Sequence, residues 1–346
     1  MRILFLYTEL AEYTIACLNA LKQQGVSVSV VHFPINPEAP FAFNLEGVGS
    51  FHDLSGIHSY TELEKLVDDF NPHKIVCSGW INKWYLRICR KWSNRAVCIL
   101  TMDNHWNGSL KQQLMTIGGK LLLRKWFKKI WVPGTPQKNY GLRLGFGESQ
   151  IMTGFYTSDV DRFEALGQKA IEQKTRVFPK VLLCVARYIP AKGYQELWDA
   201  FIKWQELEPN DWELWCAGSG EGYPQRTIHP KIRHLGFVQK EQWPGIIESA
   251  GVFILMSRFE PWGVVVQEFA AAGFPLMLTK EVGAGELFLQ RGNGWLLESN
   301  TPEYLIPVFR NLNQLETEEL IQMARKSQEL ARLLTPAGWA TRLREA

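Results

Sequence analysis

Long apolar runs are missing from this sequence: nowhere in its 346 residues is there anything near the ~18 uninterrupted apolar residues of a membrane-spanning helix. The apolar run at Met1-Arg2-Ile3-Leu4-Phe5-Leu6-Tyr7-Thr8-Glu9 meets polar residues far too early for the core of an export signal. It is expected to be a buried strand, in a cytoplasmic chain that is soluble or peripheral on a membrane. Cysteine is also scarce. Cys17, Cys77, Cys89, Cys98, Cys184 and Cys216 are scattered, and no pair has zinc or redox spacing, which leaves reduced core thiols. No dinucleotide fingerprint is complete. Gly218-Ser219-Gly220-Glu221-Gly222-Tyr223 has Tyr where the third glycine belongs, and nicotinamide chemistry is disfavoured. Acid is nearly absent from one region: Lys74 to Lys129 holds 12 basic residues, with Asp103 its only acid.

What is present is ordinary globular material, 46% hydrophobic and 21% charged, in a chain long enough for two lobes. Strand-like and helix-like runs alternate throughout, the pattern of doubly wound parallel sheets. The strands expected first are Ile3–Tyr7, Val26–Phe33, Lys74–Ser78, Val97–Met102, Ile130–Val132 and Ile151–Phe155, with helices Glu12–Gln24, Tyr60–Phe70 and Lys83–Trp92 between them. Thr61-Glu62-Leu63-Glu64 resembles a capping box. After a polar segment from Asp159 to Thr175 the pattern restarts, with strands at Val181–Ala186, Glu213–Ala217, Ile232–Val238, Val252–Met256 and Pro275–Leu278. The expected division is residues 1–165, residues 166–335, and a C-terminal helix over 336–346 that returns to the first lobe. Asp159-Val160-Asp161 has a spacing that can hold a divalent cation, but in this segment a helix cap or turn is the ordinary reading, and no metal or cofactor is expected.

The most informative segment runs from Arg258 to Pro275. A buried strand leads into a turn bearing Glu260, and a helix starts at about Gly263. The first amides of that helix, at Gly263 and Val264, make an anion site, and glycine lets a phosphate come close. Glu268 follows about 8 Å along the helix axis, with its side chain tilted back toward the N-terminus. Two carboxylates thus flank the place a pyrophosphate would take. Taken as lone acids they would be a cap and a solvated residue.

The Glu, seven residues, Glu spacing of Glu260 and Glu268, followed by Ala270-Ala271-Ala272-Gly273-Phe274-Pro275, resembles the signature of the retaining glycosyltransferases of family four. Arg187-Tyr188-Ile189-Pro190-Ala191-Lys192-Gly193, Ala217-Gly218-Ser219-Gly220 and Leu235-Gly236-Phe237-Val238 fit the same likeness, which is strong over residues 181–300. The resemblance implies an α/β GT-B fold, two Rossmann-like lobes facing across a cleft, and metal-independent transfer from a nucleotide-diphosphate sugar to a glycan or lipid-linked acceptor in surface polysaccharide or glycolipid synthesis. It implies that Arg187 and Lys192 hold the pyrophosphate, that Phe237 and Val238 border the base, and that Glu268 binds the ribose. Glu260 would face the transferred sugar, and the loop at Gly283 would add amides.

In the first lobe many relatives carry a histidine directly after a strand. This chain has Asp103 there and His105 two positions on, and both stand as candidates near the reacting carbon. The loop after the first strand lacks glycine, so Thr8, Glu9 or Tyr13 would contact the acceptor through side chains. The basic stretch over residues 74–129, with Trp80, Trp84, Trp92, Trp106, Trp126 and Trp131 in or beside it, suits an anionic membrane surface or is a solvated face over core tryptophans. No nucleic-acid module accompanies it. The competing readings are a sugar-nucleotide epimerase of the same architecture and a non-catalytic sugar-nucleotide binding protein.

Overall fold

The computed structural model describes residues 1–36 and 43–346. The chain divides into two compact units, Met1–Ser158 with Leu334–Ala346, and Asp159–Leu333. The boundary thus falls at Ser158 instead of residue 165. The polar segment after it is a helix, Val160–Lys174, whose buried Val160, Phe163, Gly167 and Ala170 belong to the second unit. Asp159 caps this helix by accepting from the Arg162 amide at 3.3 Å.

The first unit is built on a seven-stranded parallel sheet: β1 Arg2–Tyr7, β2 Ser27–His32, β3 Ser50–Asp53, β4 Lys74–Ser78, β5 Val97–Thr101, β6 Lys129–Trp131 and β7 Ile151–Met152, in the order β3-β2-β1-β4-β5-β6-β7. Continuous burial of β1, where Ile3 to Leu6 are wholly inaccessible, is what a central parallel strand covered on both faces requires. The short edge strand β3, SFHD, carries too little apolar pattern to be foreseen. The cap of the helix Tyr60–Phe70 is Ser59 and not Thr61. Ser59 accepts from the Glu62 amide at 3.2 Å, while the Glu62 carboxylate accepts from the His58 amide at 3.0 Å. The C-terminal helix Pro336–Glu345 lies on this unit. Its Trp339 stacks on Trp131 with centroids 4.8 Å apart and donates to the Phe155 carbonyl at 2.7 Å. The buried Lys74 ammonium donates to the carbonyls of Leu343 and Arg344, both at 2.9 Å, so a cation closes the end of the helix where its dipole is negative.

The second unit repeats the plan with six parallel strands: β8 Val181–Val185, β9 Glu213–Ala217, β10 Ile232–Gly236, β11 Val252–Leu255, β12 Leu276–Thr279 and β13 Gly294–Leu297, ordered β10-β9-β8-β11-β12-β13. This is the doubly wound order, in which the chain direction across the sheet reverses between β8 and β11. In the first unit the same reversal lies between β1 and β4. Among the described residues no helix is long and apolar enough to cross a membrane.

Candidate active site

Loops leaving the carboxyl ends of strands at a reversal point form a crevice by construction, because they turn to opposite sides. In the second unit those loops are Ala186–Gly193 after β8 and Met256–Gly263 after β11, which hold Arg187, Lys192, Glu260 and Gly263. Backbone bonds lock them together. The amide of Arg258 donates to the Ala191 carbonyl at 2.8 Å. Gly193, at φ +67°, has room for no side chain, since a Cβ there would lie 2.1 Å from the Met256 carbonyl oxygen. Tyr188, buried within the first of these loops, stacks on Tyr194 at 4.3 Å and hydrogen-bonds His234 Nδ1 at 2.9 Å, while its neighbour Arg187 is exposed. Burial drives the Tyr188 hydroxyl far above its usual range, so it remains protonated.

The outcome is an ion pair between Lys192 Nζ and Glu260 Oε2, each side chain only 13% exposed. Buried Ser257 donates to the same carboxylate oxygen at 3.5 Å and is itself held by Thr279 Oγ1, which donates to the Ser257 carbonyl at 2.7 Å. Gly263, at φ +92°, sits where a Cβ would meet Glu260 Cγ at 3.1 Å, and the helix Val264–Ala271 starts from it. A paired cation, a carboxylate and a helix start therefore share one corner, and Glu268 stands half-buried on the same helix. The Gly283 amide donates to the Glu260 carbonyl at 3.0 Å, and the Ala284 amide to the Trp262 carbonyl at 2.8 Å, so these donors brace the Glu260 turn. Phe237 and Val238 follow β10, where the Gly236 carbonyl accepts from the Gly218 amide at 2.7 Å. Val238 is buried and Phe237 half-buried.

The first unit has its own cavity at its reversal point, with a volume of about 500 Å3. Thr8, Glu9 and Tyr13 line it from the β1 side, Ser78 ends β4 and Trp80 follows it, and Asp103 and Asn104 follow β5. Thr8 and Ser78 share a hydrogen bond of 3.0 Å. Asp103 is fixed twice: Tyr156 donates its hydroxyl to Oδ2 at 3.2 Å, and the fully buried Gln137 donates to the Asp103 carbonyl at 3.0 Å. Burial, reinforced by neighbouring Tyr13 and Asp103, holds the Tyr156 phenol well above its ordinary range and hence in the donating form. His105 is not among the lining residues, and its carbonyl accepts from Gln112 at 2.8 Å. Tyr156 and Gln137 were not foreseen, because a tyrosine and a glutamine carry no motif.

The basic stretch separates into parts. Lys74 is buried, Lys91 pairs with Asp68 at 2.9 Å, Arg87 lies over the Tyr60 ring, and Trp92 and Trp131 are core. Trp80, Trp84, Trp106 and Trp126 pack partly buried against that core, so the tryptophans form no exposed belt.

Residues 168–329, nearly the whole second unit, match the family model described as glycosyl transferases group 1. The second unit thus matches a group 1 glycosyl transferase domain. Over 127 residues it is 30% identical to mannosylfructose-phosphate synthase of Agrobacterium fabrum, an alignment covering 32% of this chain and 28% of the synthase. The chain spans well under half the length of that relative. Solved structures match over the full chain. A glycosyltransferase from Rickettsia africae superposes with a TM-score of 0.74 at 15% identity, covering 99% of this chain and 96% of the other. HepE from Anabaena, in complex with UDP, gives 0.74 at 16% identity and covers 100% and 99%. The group 1 domain and its companion unit thus have the GT-B fold.

Proposed function

We propose that this chain is a retaining, metal-independent glycosyltransferase that moves a sugar from a nucleotide-diphosphate donor, held by the second unit, to a glycan or lipid-linked acceptor, held by the first. The observation that carries the reading is the Lys192–Glu260 pair beside Gly263 at the β8/β11 reversal. A lysine neutralised by one carboxylate is set to exchange that partner for phosphate oxygens. Each charge-assisted bond so formed contributes roughly 1.5–3 kcal/mol. The similarity to HepE, a protein solved with UDP, supports a nucleotide donor.

In this mechanism Arg187, Lys192 and the first amides at Gly263 and Val264 stabilise the leaving diphosphate as its charge develops, where electrostatic catalysis acts. These groups meet the need for positive charge that a metal serves elsewhere. Glu268 accepts from ribose hydroxyls, and Glu260, released from Lys192, accepts from hydroxyls of the transferred sugar. The acceptor is assigned to the first-unit cavity, whose carboxylates, hydroxyls and amides suit a polyhydroxylated ligand, with Asp103 oriented by Tyr156. The proposed setting is cytoplasmic, in surface polysaccharide or glycolipid assembly, with residues 74–129 toward an anionic membrane surface.

A transfer assay across UDP-, GDP-, ADP- and TDP-sugars, with the product anomer read by NMR, tests this. The expected result is acceptor-dependent release of nucleoside diphosphate with retention, unaffected by chelators. Inversion would end the retaining assignment, and free diphosphate released only in an acceptor-independent epimerisation would end the transferase reading.

A further inference from the structure

Between Asp103 and Glu148 the sequence contains no carboxylate, while Lys111, Lys120, Arg124, Lys125, Lys128, Lys129, Lys138 and Arg143 fall inside that interval. Most of the interval's first half is one continuous helical run over residues 110–126, in which Gly119–Leu123 form a π-helical turn. Gly119 and Gly145 set its inner face: a Cβ on Gly119 would press on Leu144 at 2.9 Å, and one on Gly145 would meet Lys120 Cγ at 2.8 Å. Leu123 points inward with Gly119, and Gln112 and Met115 line the first-unit cavity. The outer face is the unusual one. Leu110 is 78% exposed, Leu114 70%, Ile117 63% and Leu121 61%, at spacings of four, three and four that place them in one stripe, with Leu122 beside it at 49%. Such a stripe costs solubility and contributes nothing to the core beneath it.

The cations complete the pattern. Lys111 stands at the start of the stripe, where it also borders the first-unit cavity, and Lys120, Arg124 and Lys125 cluster at its far end, within and just after the π-helical turn. All four are exposed. Among the described residues no ion pair engages them, whereas Lys91 pairs with Asp68. A ridge of Leu and Ile with basic residues at both ends and no acid within the helical run matches the interface between headgroups and acyl chains: the aliphatic side chains enter, and the lysine stems reach up to the phosphates.

We infer that the helical run over residues 110–126 is the element by which this chain docks on an anionic lipid surface, with Leu110, Leu114, Ile117 and Leu121 entering the acyl boundary. The argument does not pass through the transfer reaction, although it deepens the proposed function by selecting the lipid-linked class of acceptor. A protein groove could take the apolar stripe, but it would need carboxylates at both of its ends. A bilayer containing anionic lipid supplies that charge everywhere.

The test is sedimentation of the full chain with vesicles of phosphatidylcholine alone and with about one third phosphatidylglycerol. Binding is expected only with the anionic lipid, weakening as salt rises. Leu114→Glu/Leu121→Glu should lower partitioning at least tenfold, and Lys120→Gln/Lys125→Gln should lower it about tenfold while flattening the salt dependence. These positions are exposed, so melting temperature and nucleoside diphosphate binding should stay unchanged, which separates this proposal from the catalytic one. Absence of wild-type binding to anionic vesicles at low salt would overturn the inference, as would equal binding by the Leu114/Leu121 variant. So would a concentration-dependent dimer in analytical ultracentrifugation that the same variant dissociates, since the ridge would then serve a second copy of the chain.

Discussion

Lys174 closes the helix Val160–Lys174 with its ammonium inside the second unit, 1% exposed, 3.8 Å above the Phe274 ring and with no hydrogen-bond acceptor among the described residues. Burial lowers its pKa from 10.5 to about 7. The sign of the stability effect follows from proton counts. Below pH 7 the lysine is charged in both folded and unfolded chains, and the full cost of burying it is present. Between pH 7 and 10.5 the unfolded chain holds a proton that the folded chain has lost, so stability rises with pH. Above 10.5 both are neutral and the cost is gone. A fall from 10.5 to about 7 corresponds to about 5 kcal/mol, and the aromatic face offsets about 1 kcal/mol of it. Lys174→Met, which keeps the length and apolar stem, should therefore stabilise the chain by about 3–5 kcal/mol at pH 6, with the difference shrinking steadily toward pH 10. Urea unfolding of both proteins at pH 6, 7.5 and 9, followed through second-unit tryptophans, measures the difference. A destabilised Met variant at pH 6, or a gap that does not change with pH, would refute the reasoning.

Other substitutions reach the remaining claims. Lys74→Met removes the donors that close the helix Pro336–Glu345, and should cost about 2–4 kcal/mol and accelerate amide exchange in that helix before the rest of the first unit. Gly193→Ala places a methyl group against the Met256 carbonyl at a left-handed position, so it should cost at least about 2 kcal/mol by thermal denaturation and weaken diphosphate binding through displacement of Lys192. Glu268→Ala should reduce transfer a hundredfold or more with the melting temperature nearly unchanged, because this half-buried side chain stands on a helix whose packing face is Val266, Gln267, Phe269 and Ala270.

The sequence made the sheets legible because parallel strands buried on both faces are uninterrupted apolar runs, as at Ile3–Leu6 and Val252–Met256. The edge strands β3 and β13 escaped for the opposite reason, while the edges β7 and β10 were legible. SFHD in β3 is polar at three of its four positions, and GWLL in β13 opens with a glycine, which is needed because a Cβ there would lie 1.8 Å from the Leu276 carbonyl oxygen. The helix Val160–Lys174 was hidden by its own surface, whose charged face outweighs the narrow stripe of Val160, Phe163, Gly167 and Ala170. In the site, the spacing of Glu260 and Glu268 was visible, since one loop and one helix carry both. The Lys192–Glu260 pair was not, because it joins residues 68 positions apart. Only the order β8-β11 brings their loops together, and a list of strands does not give strand order. The exposed stripe of Leu110, Leu114, Ile117 and Leu121 was not legible, because an apolar face at helical spacing reads as core and only the structure shows that it is exposed.

The account depends most on the grip of a diphosphate by the corner containing Lys192, Glu260 and Gly263. Titration calorimetry of UDP, GDP, ADP and TDP against the full chain tests that grip without requiring the acceptor. The account predicts that at least one of them binds with one-to-one stoichiometry, that Lys192→Ala weakens it tenfold or more, and that Asp103→Asn in the first unit leaves it unchanged. Equal affinity in the Lys192→Ala protein, or no binding by any of the four, would contradict it.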